Sequence, residues 1–245
     1  MRVLLIGSGG REHAIAAGIR RSNLLDELFV APGNAGTAAN NVALDVDDHE
    51  AVVAWCGEQS IDLVVVGPEV PLVDGLADRV RSAGIACFGP SAAAARLEGS
   101  KSFSRAFADS VGIPQPVSGT FTSSDEAIAW LDEVGVPVVV KADGLAAGKG
   151  VVIPEDRDET EAAIRAMLDD AQFGESSSSI VLEERMHGEE LSLFGVSDGT
   201  TVVTLATAQD HKRVGEGDTG LNTGGMGAFA PVPGIDTRMA GIEPP

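Results

Sequence analysis

Four short apolar runs, Val3–Ile6, Leu28–Val30, Leu63–Val66 and Ala86–Phe88, each give way to a glycine-containing turn. Helix-like stretches lie between them, one running to Arg21 and another over Val73–Ala83. Strands alternating with helices predict a parallel sheet with right-handed crossovers. The unbroken Leu63–Val66 run predicts a strand buried on both faces. Ligands of such sheets bind at the carboxyl ends of the strands, where the turns fall here. Gly7-Ser8-Gly9-Gly10 opens a helix as a dinucleotide fingerprint does, but Glu12 stands where the third glycine belongs. Amides at a helix start can hold an anion; a tight turn with no ligand would use the same glycines.

The chain contains four lysines. Two of them flank one glycine-rich loop, in Val140-Lys141-Ala142-Asp143-Gly144 through Gly148-Lys149-Gly150-Val151. Apolar residues enter and leave it, so strand, loop, strand is expected. Glycine amides can wrap an anion, and lysine adds a compact charge suited to phosphate. The pattern is not a Walker loop, because Gly150-Val151 follows Lys149 in place of Ser/Thr and a helix. The expectation is a flap over the phosphates of a nucleotide; an ordinary mobile hairpin is the alternative. Lys141 ends a strand and should matter more to binding than Lys149, which rides on the loop.

Length permits one or two domains with a sizeable core. The formal net charge is −20, spread along the chain. Such a field opposes nucleic acid and anionic membranes. Acid excess with few lysines suits molar salt, which screens self-repulsion; a halophilic source is expected, a merely acidic protein being the alternative. No apolar run is long enough to span a membrane, and Met1–Gly7 reads as a strand and not a signal peptide. Cys56 and Cys87 lack metal-ligand spacing and are expected to be reduced thiols in a cytoplasmic protein. His13, His49 and His187 show no zinc pattern.

Beyond Lys101–Val111, a helix, and the 112–116 linker, the pattern changes. Ser123 with Glu126 forms a capping box opening a helix to about Val134. Pro137–Lys141 and Val151–Ile153 are strands, Asp156 caps a helix to about Asp170, and Ile180–Glu184 is a strand after the serine-rich 176–179 connector. A compact unit near 121–186 is thus inserted before a second sheet, in which Glu190–Val196 and Thr201–Ala206 flank an Asp198-Gly199 hairpin signal. The 181–186 segment offers backbone groups to a purine edge, and Glu190 could accept from ribose hydroxyls. Gln209–Arg213 and Asp218–Gly227 form a second glycine-rich polar region containing the scarce Lys212, suited to a small zwitterion or a phosphate. Met186 and Met226 are expected to be packing residues.

Several collinear segments carry a resemblance: Gly7 through Arg11-Glu12-His13, the 31–37 turn, Val66-Gly67-Pro68-Glu69, Leu97 to Lys101, Lys141 to Gly150, Gln209 to Arg213, and Asp218 through Asn222-Thr223-Gly224-Gly225-Met226 to Ala228. Over roughly residues 1–233 the chain resembles the glycinamide ribonucleotide synthetase family of ATP-grasp enzymes. That resemblance implies ATP-dependent ligation of glycine to 5-phosphoribosylamine through glycyl phosphate. It implies a doubly wound parallel-sheet domain at 1–100, a linker and start of the ATP-grasp core at 101–120, a small α+β lid at 121–186, and a partial, incomplete core at 187–245. By resemblance Lys101 and Lys141 contact ATP phosphates under a loop containing Gly144, Gly148, Lys149 and Gly150. Glu183, Glu184 and Met186 hold adenine and Glu190 the ribose. Gly9, Gly10, Asn34, Gly67, Pro68 and Glu69 lie on the phosphoribosylamine side. Asp210, Lys212 and Asp218 serve the reacting centre, with Asn222, Thr223, Gly224, Gly225 and Met226 beside glycine. The family's Mg²⁺ (or Mn²⁺) ligands are expected in a later stretch that this sequence lacks, so the chain is expected to be an N-terminal portion with little or no activity alone, a separate C-terminal polypeptide being a candidate partner. Ligation of a different carboxylate and a non-catalytic nucleotide-binding module are the rival readings.

Overall fold

A computed structural model describes residues 1–146, 150–217 and 219–235; of Glu175, Leu221 and Asn222 it describes the backbone alone. Two units divide these residues, one running to Glu184 and the other starting at Arg185.

In the first unit, β1 (Arg2–Gly7), β2 (Glu27–Pro32), β3 (Leu63–Val66) and β4 (Ala86–Phe88) form a parallel sheet in the order β2-β1-β3-β4. Strand side chains alternate between faces. Leu4 and Ile6 pack with Val52 and Cys56 of α2 (His49–Glu58) and with Leu76 and Val80 of α4 (Leu76–Ser82). Val3 and Leu5 pack on the other face with Ala16 of α1 (Gly10–Ile19). Both faces of the sheet are therefore covered, as the apolar runs require.

The expected Val73–Ala83 helix is two helices. A short α3 (Glu69–Val73) follows the Gly67-Pro68 turn, and α4 begins only after Gly75, whose φ of +92° breaks the helical path. A helix not foreseen, α5 (Ala92–Gly99), is capped by Ser91 and runs into α6 (Lys101–Val111), capped by Ser100.

The second sheet of this unit is antiparallel, in the order β5-β8-β6-β7, from β5 (Ser118–Phe121), β6 (Val138–Ala142), β7 (Val151–Val152) and β8 (Ile180–Glu184). Val138, Val140, Ala142, Ile180 and Leu182 point into a core with α7 (Ser124–Val134) and α8 (Arg157–Leu168). Ser123 Oγ and Asp156 Oδ1 cap those helices as the sequence predicts. Alternation sends Val139, Lys141, Val181 and Glu183 to the opposite face.

In the second unit, β9 (Gly195–Ser197) pairs with β10 (Val202–Thr204) around the Asp198 turn. The strand expected from Glu190 is shorter: before Gly195 only Ser192 bridges, to Ala208. Residues 209–217 and 219–229 make one irregular hairpin. In it β11 (Gln209–Asp210) pairs with β14 (Ala228–Phe229), and β12 (Arg213–Gly215) with β13 (Thr219–Asn222). Met186 and Met226 stand exposed, at 70% and 60%, contrary to the packing expectation: each lies outside a strand, Met186 just past β8, and neither belongs to a buried cluster. Among the described residues no helix is long and apolar enough to cross a membrane.

Candidate functional site

The first cluster lies where the β1, β2 and β3 turns meet. β1 is flanked by β2 and β3, so the chain leaves it in both directions and a crevice opens at its carboxyl end. Glu12 fills the base of that crevice. Its side chain is only 3% exposed, and its Oε2 accepts from Gly9 N at 2.7 Å. A Cβ on Gly7 would come within 2.5 Å of Glu12 Cγ, and one on Gly67 within 2.7 Å, so both glycines make room for this carboxylate. Among the described residues Glu12 Oε1 has no hydrogen-bond partner; the Arg11 guanidinium is 3.4 Å away and also reaches Glu69 Oε2 at 3.4 Å.

Asn34 ties the turns together. Its Nδ2 donates to Ser8 O (2.9 Å) and Gly9 O (3.0 Å), and its Oδ1 accepts from Gly36 N (2.8 Å). The Gly9 amide and the Asn34 amide group, both expected to face a substrate, are thus engaged within the protein. Pro68 and Glu69 start α3 at the crevice edge, and Gly10 begins α1.

The second cluster lies at the base of the glycine loop. Lys141 Nζ and Arg105 Nε (2.8 Å) both donate to Glu183, whose side chain is 3% exposed. The pairing follows from the register, since Lys141 lies opposite Val181 and Val139 opposite Glu183 on neighbouring strands. Burial would raise the Glu183 pKa, but the hydrogen bonds from Arg105 and Lys141 prevail and hold it below 4.5. The Glu183 carboxylate is therefore committed to two cations, and its backbone lies inside the sheet, between β5 and β6. Among the described residues Lys101, the first residue of α6, has no carboxylate in hydrogen-bond contact; its Nζ donates to Asp143 O (3.3 Å) and Gly144 O (3.1 Å). Burial lowers its pKa below 10.5, with Lys141 adding to the effect and Asp143, Glu98 and Glu183 opposing it.

The serine connector clasps the loop from beneath. Gly144 N donates to Ser176 O, and Ser176 Oγ to Leu145 O. Ala142 N donates to Gly150 O, closing the far side. Gly148 and Lys149 lie outside the described residues.

In the second unit, Lys212 Nζ pairs with Glu190, both well exposed. Thr223 N and Oγ1 donate to Lys212 O at 2.7 and 2.9 Å, Thr223 Oγ1 accepts from Gly225 N, and Asp210 Oδ2 lies near Gly225. The hairpin thus brings Asp210 and Lys212 beside the 223–226 segment, with Gly224 exposed between. Asp218 and the Asn222 side chain lie outside what is described. Glu184 Oε2 receives a long contact from Val117 N, 3.4 Å, at the end of β8.

The sequence matches the model of the phosphoribosylglycinamide synthetase N domain over residues 1–98 and that of its ATP-grasp (A) domain over residues 99–241. The chain belongs to the phosphoribosylglycinamide synthetase family. It is 53% identical over 241 residues to phosphoribosylamine–glycine ligase of Mesorhizobium japonicum, covering 98% of this chain and 56% of that protein. The Agrobacterium fabrum ligase is 55% identical over 241 residues, covering 98% of this chain and 57% of that one. The crystal structure of the Thermotoga maritima ligase superposes with a TM-score of 0.77 at 31% identity, covering 95% of this chain and 56% of that chain. The chain thus spans a little over half the length of these synthetase relatives.

Two residues of the cluster at the loop base were not foreseen from the sequence. Arg105, one of many exposed-looking helix residues, gives no local signal of its pairing with Glu183. Asp143 is the other: its carboxylate accepts from Ser100, Ser102 and Ser179. The one available hint was its place between Lys141 and the glycines.

Proposed function

We propose that this chain supplies the nucleotide- and substrate-binding part of a ligase that joins glycine to 5-phosphoribosylamine at the expense of ATP. The observation that carries this reading is the convergence of Lys101 and Lys141 on the base of the glycine loop. A desolvated ammonium that donates to carbonyl oxygens, as Lys101 does, gains most from an arriving phosphate. In this reading ATP phosphorylates the glycine carboxylate, and the amine of phosphoribosylamine displaces phosphate from the glycyl phosphate. Lys101 and Lys141 balance charge on the phosphates. The loop through Gly150 excludes water from the reactive intermediate. The segment from Glu183 to Met186 takes adenine, and Glu190 leaves Lys212 to meet the ribose. Lys212, Asp210 and the 223–226 segment then attend the glycine end, while the Glu12–Gly67 crevice receives phosphoribosylamine. We assign residues 1–100, 101–120, 121–186 and 187–245 to the N domain, linker, lid and partial core.

The family's chemistry also calls for Mg²⁺ or Mn²⁺. Among the described residues no three His, Cys, Asp or Glu side chains converge as a metal set. None is assigned to a metal, and no step is routed through one.

Calorimetric titration with ATP tests the reading. The wild-type chain should bind, and Lys101→Met should weaken binding on the order of tenfold or more, the loss expected for one charge-assisted contact. A folded wild-type chain that binds no ATP in low or molar KCl would sink it.

A further inference from the structure

We propose that Asp143 is the positioning residue at the phosphate end of this site: its carboxylate and its peptide carbonyl together hold the Lys101 ammonium against the base of the glycine loop. This rests on the nucleotide reading above and adds a residue to it. The carboxylate accepts four hydrogen bonds, from Ser102 N (2.8 Å), Ser102 Oγ (2.6 Å), Ser179 Oγ (2.9 Å) and Ser100 Oγ (3.2 Å). Ser100 and Ser102 flank Lys101 at the start of α6, so the residue between them is fixed from both sides. Ser179 leads into β8, and Asp143 N donates to its carbonyl at 3.1 Å. The Asp143 carbonyl in turn accepts from Lys101 N (3.2 Å) and Nζ (3.3 Å). Helix start, loop base and strand start therefore meet on one residue.

A carboxylate has about four lone-pair sites, and all four are used here. Asp143 is thus not free to bind a ligand, and its role is to hold. It also supplies charge. The groups acting on Lys101 are Asp143 and Lys141 at the end of β6, Glu98 of α5 and Glu183 of β8. Glu183 is already shared by Lys141 and Arg105. Neutralising Asp143 leaves burial and Lys141 less opposed, so the Lys101 ammonium should lose its proton at lower pH.

With only four lysines, the ¹³Cε resonances of the full chain can be followed one by one through an alkaline titration. In Asp143→Asn, Lys101 should titrate at lower pH than in wild type. ATP affinity near neutral pH should fall on the order of tenfold, and its alkaline decline should begin earlier. Ser102→Ala keeps the charge and removes the shortest contact; it should weaken ATP binding several-fold without moving the Lys101 titration. An unmoved Lys101 titration in folded Asp143→Asn would overturn the proposal. Should that variant not fold, wild-type ATP affinity in Ser102→Ala would overturn it equally. If the wild-type chain binds no ATP, the nucleotide reading fails, and the resonance titration alone decides whether Asp143 governs Lys101.

Discussion

Replacing Lys141 by Met removes one of two cations from a carboxylate that water barely reaches. Breaking a buried ion pair by deleting one partner costs about 3–5 kcal/mol when the remaining charge is left uncompensated. Here Arg105 keeps its 2.8 Å contact to Glu183, and the methionine retains most of the buried stem. A loss of about 2 kcal/mol is therefore expected. The Glu183 pKa is depressed in the folded protein, so its contribution is present above the unfolded value near 4.5 and fades as pH falls through the folded one. Lys141→Met should weaken that depression, so the deficit should be full at pH 7 and shrink below pH 4.5. Urea unfolding in matched KCl would measure it. Trp130 is the reporter, since it packs on Phe121 in the core beneath β6 and β8, and a Trp55→Phe background silences the other tryptophan. Adding Glu183→Gln should recover part of the loss, because no buried charge is then stranded. Equal stability of Lys141→Met and wild type at pH 7, or a deficit unchanged on acidification, would refute the pairing as a source of stability.

Gly67→Ala should destabilise the N-terminal sheet by about 1–3 kcal/mol, the usual cost of overpacking, because the new methyl meets Glu12 Cγ at 2.7 Å; melting that followed Trp55 at the wild-type temperature would contradict this. Asp198 accepts from Thr200 and Thr201 N–H groups, which lower its pKa to about 2. Its hold on the β9–β10 turn should persist above the unfolded value near 3.8 and fade as pH falls through about 2, read as faster exchange of the Thr200 and Thr201 amides; exchange unaltered in Asp198→Ala at neutral pH would discount the turn's dependence on it. With a net charge of −20, the melting temperature should rise from low to molar KCl as self-repulsion is screened, and equal melting in both would remove the halophilic reading.

What the sequence conveyed well were features written within a few residues. The apolar runs of β1, β3 and β6 and the caps at Ser123 and Asp156 are local, and each appeared where expected. Less legible were elements decided by backbone angle or by distant neighbours. Gly75 splits a stretch whose apolar spacing reads as one helix. The alanine run at 92–95 has no apolar periodicity to declare α5, which its serine cap and contacts with α3 and α6 support. Among the candidate site residues, lysine scarcity singled out Lys141 and Lys212 along with Lys149, and the resemblance added Lys101. The partners of Lys101, Lys141 and Lys212 could not be read, because Glu183, Asp143 and Glu190 come to them through strand register and hairpin pairing.

The filled niche at the β1 turn also bears on how such a chain can change. The carboxylate at 12 and the missing side chains at 7 and 67 occupy one volume, so they behave as a single inherited character, although the positions are far apart in sequence. A side chain cannot arise at 67 until residue 12 has shrunk. Shrinking residue 12 first strands the Gly9 amide and opens a void between two strands. Each route to an ordinary dinucleotide fingerprint therefore passes through a less stable intermediate, and a lineage that acquired the glutamate would find it hard to give up.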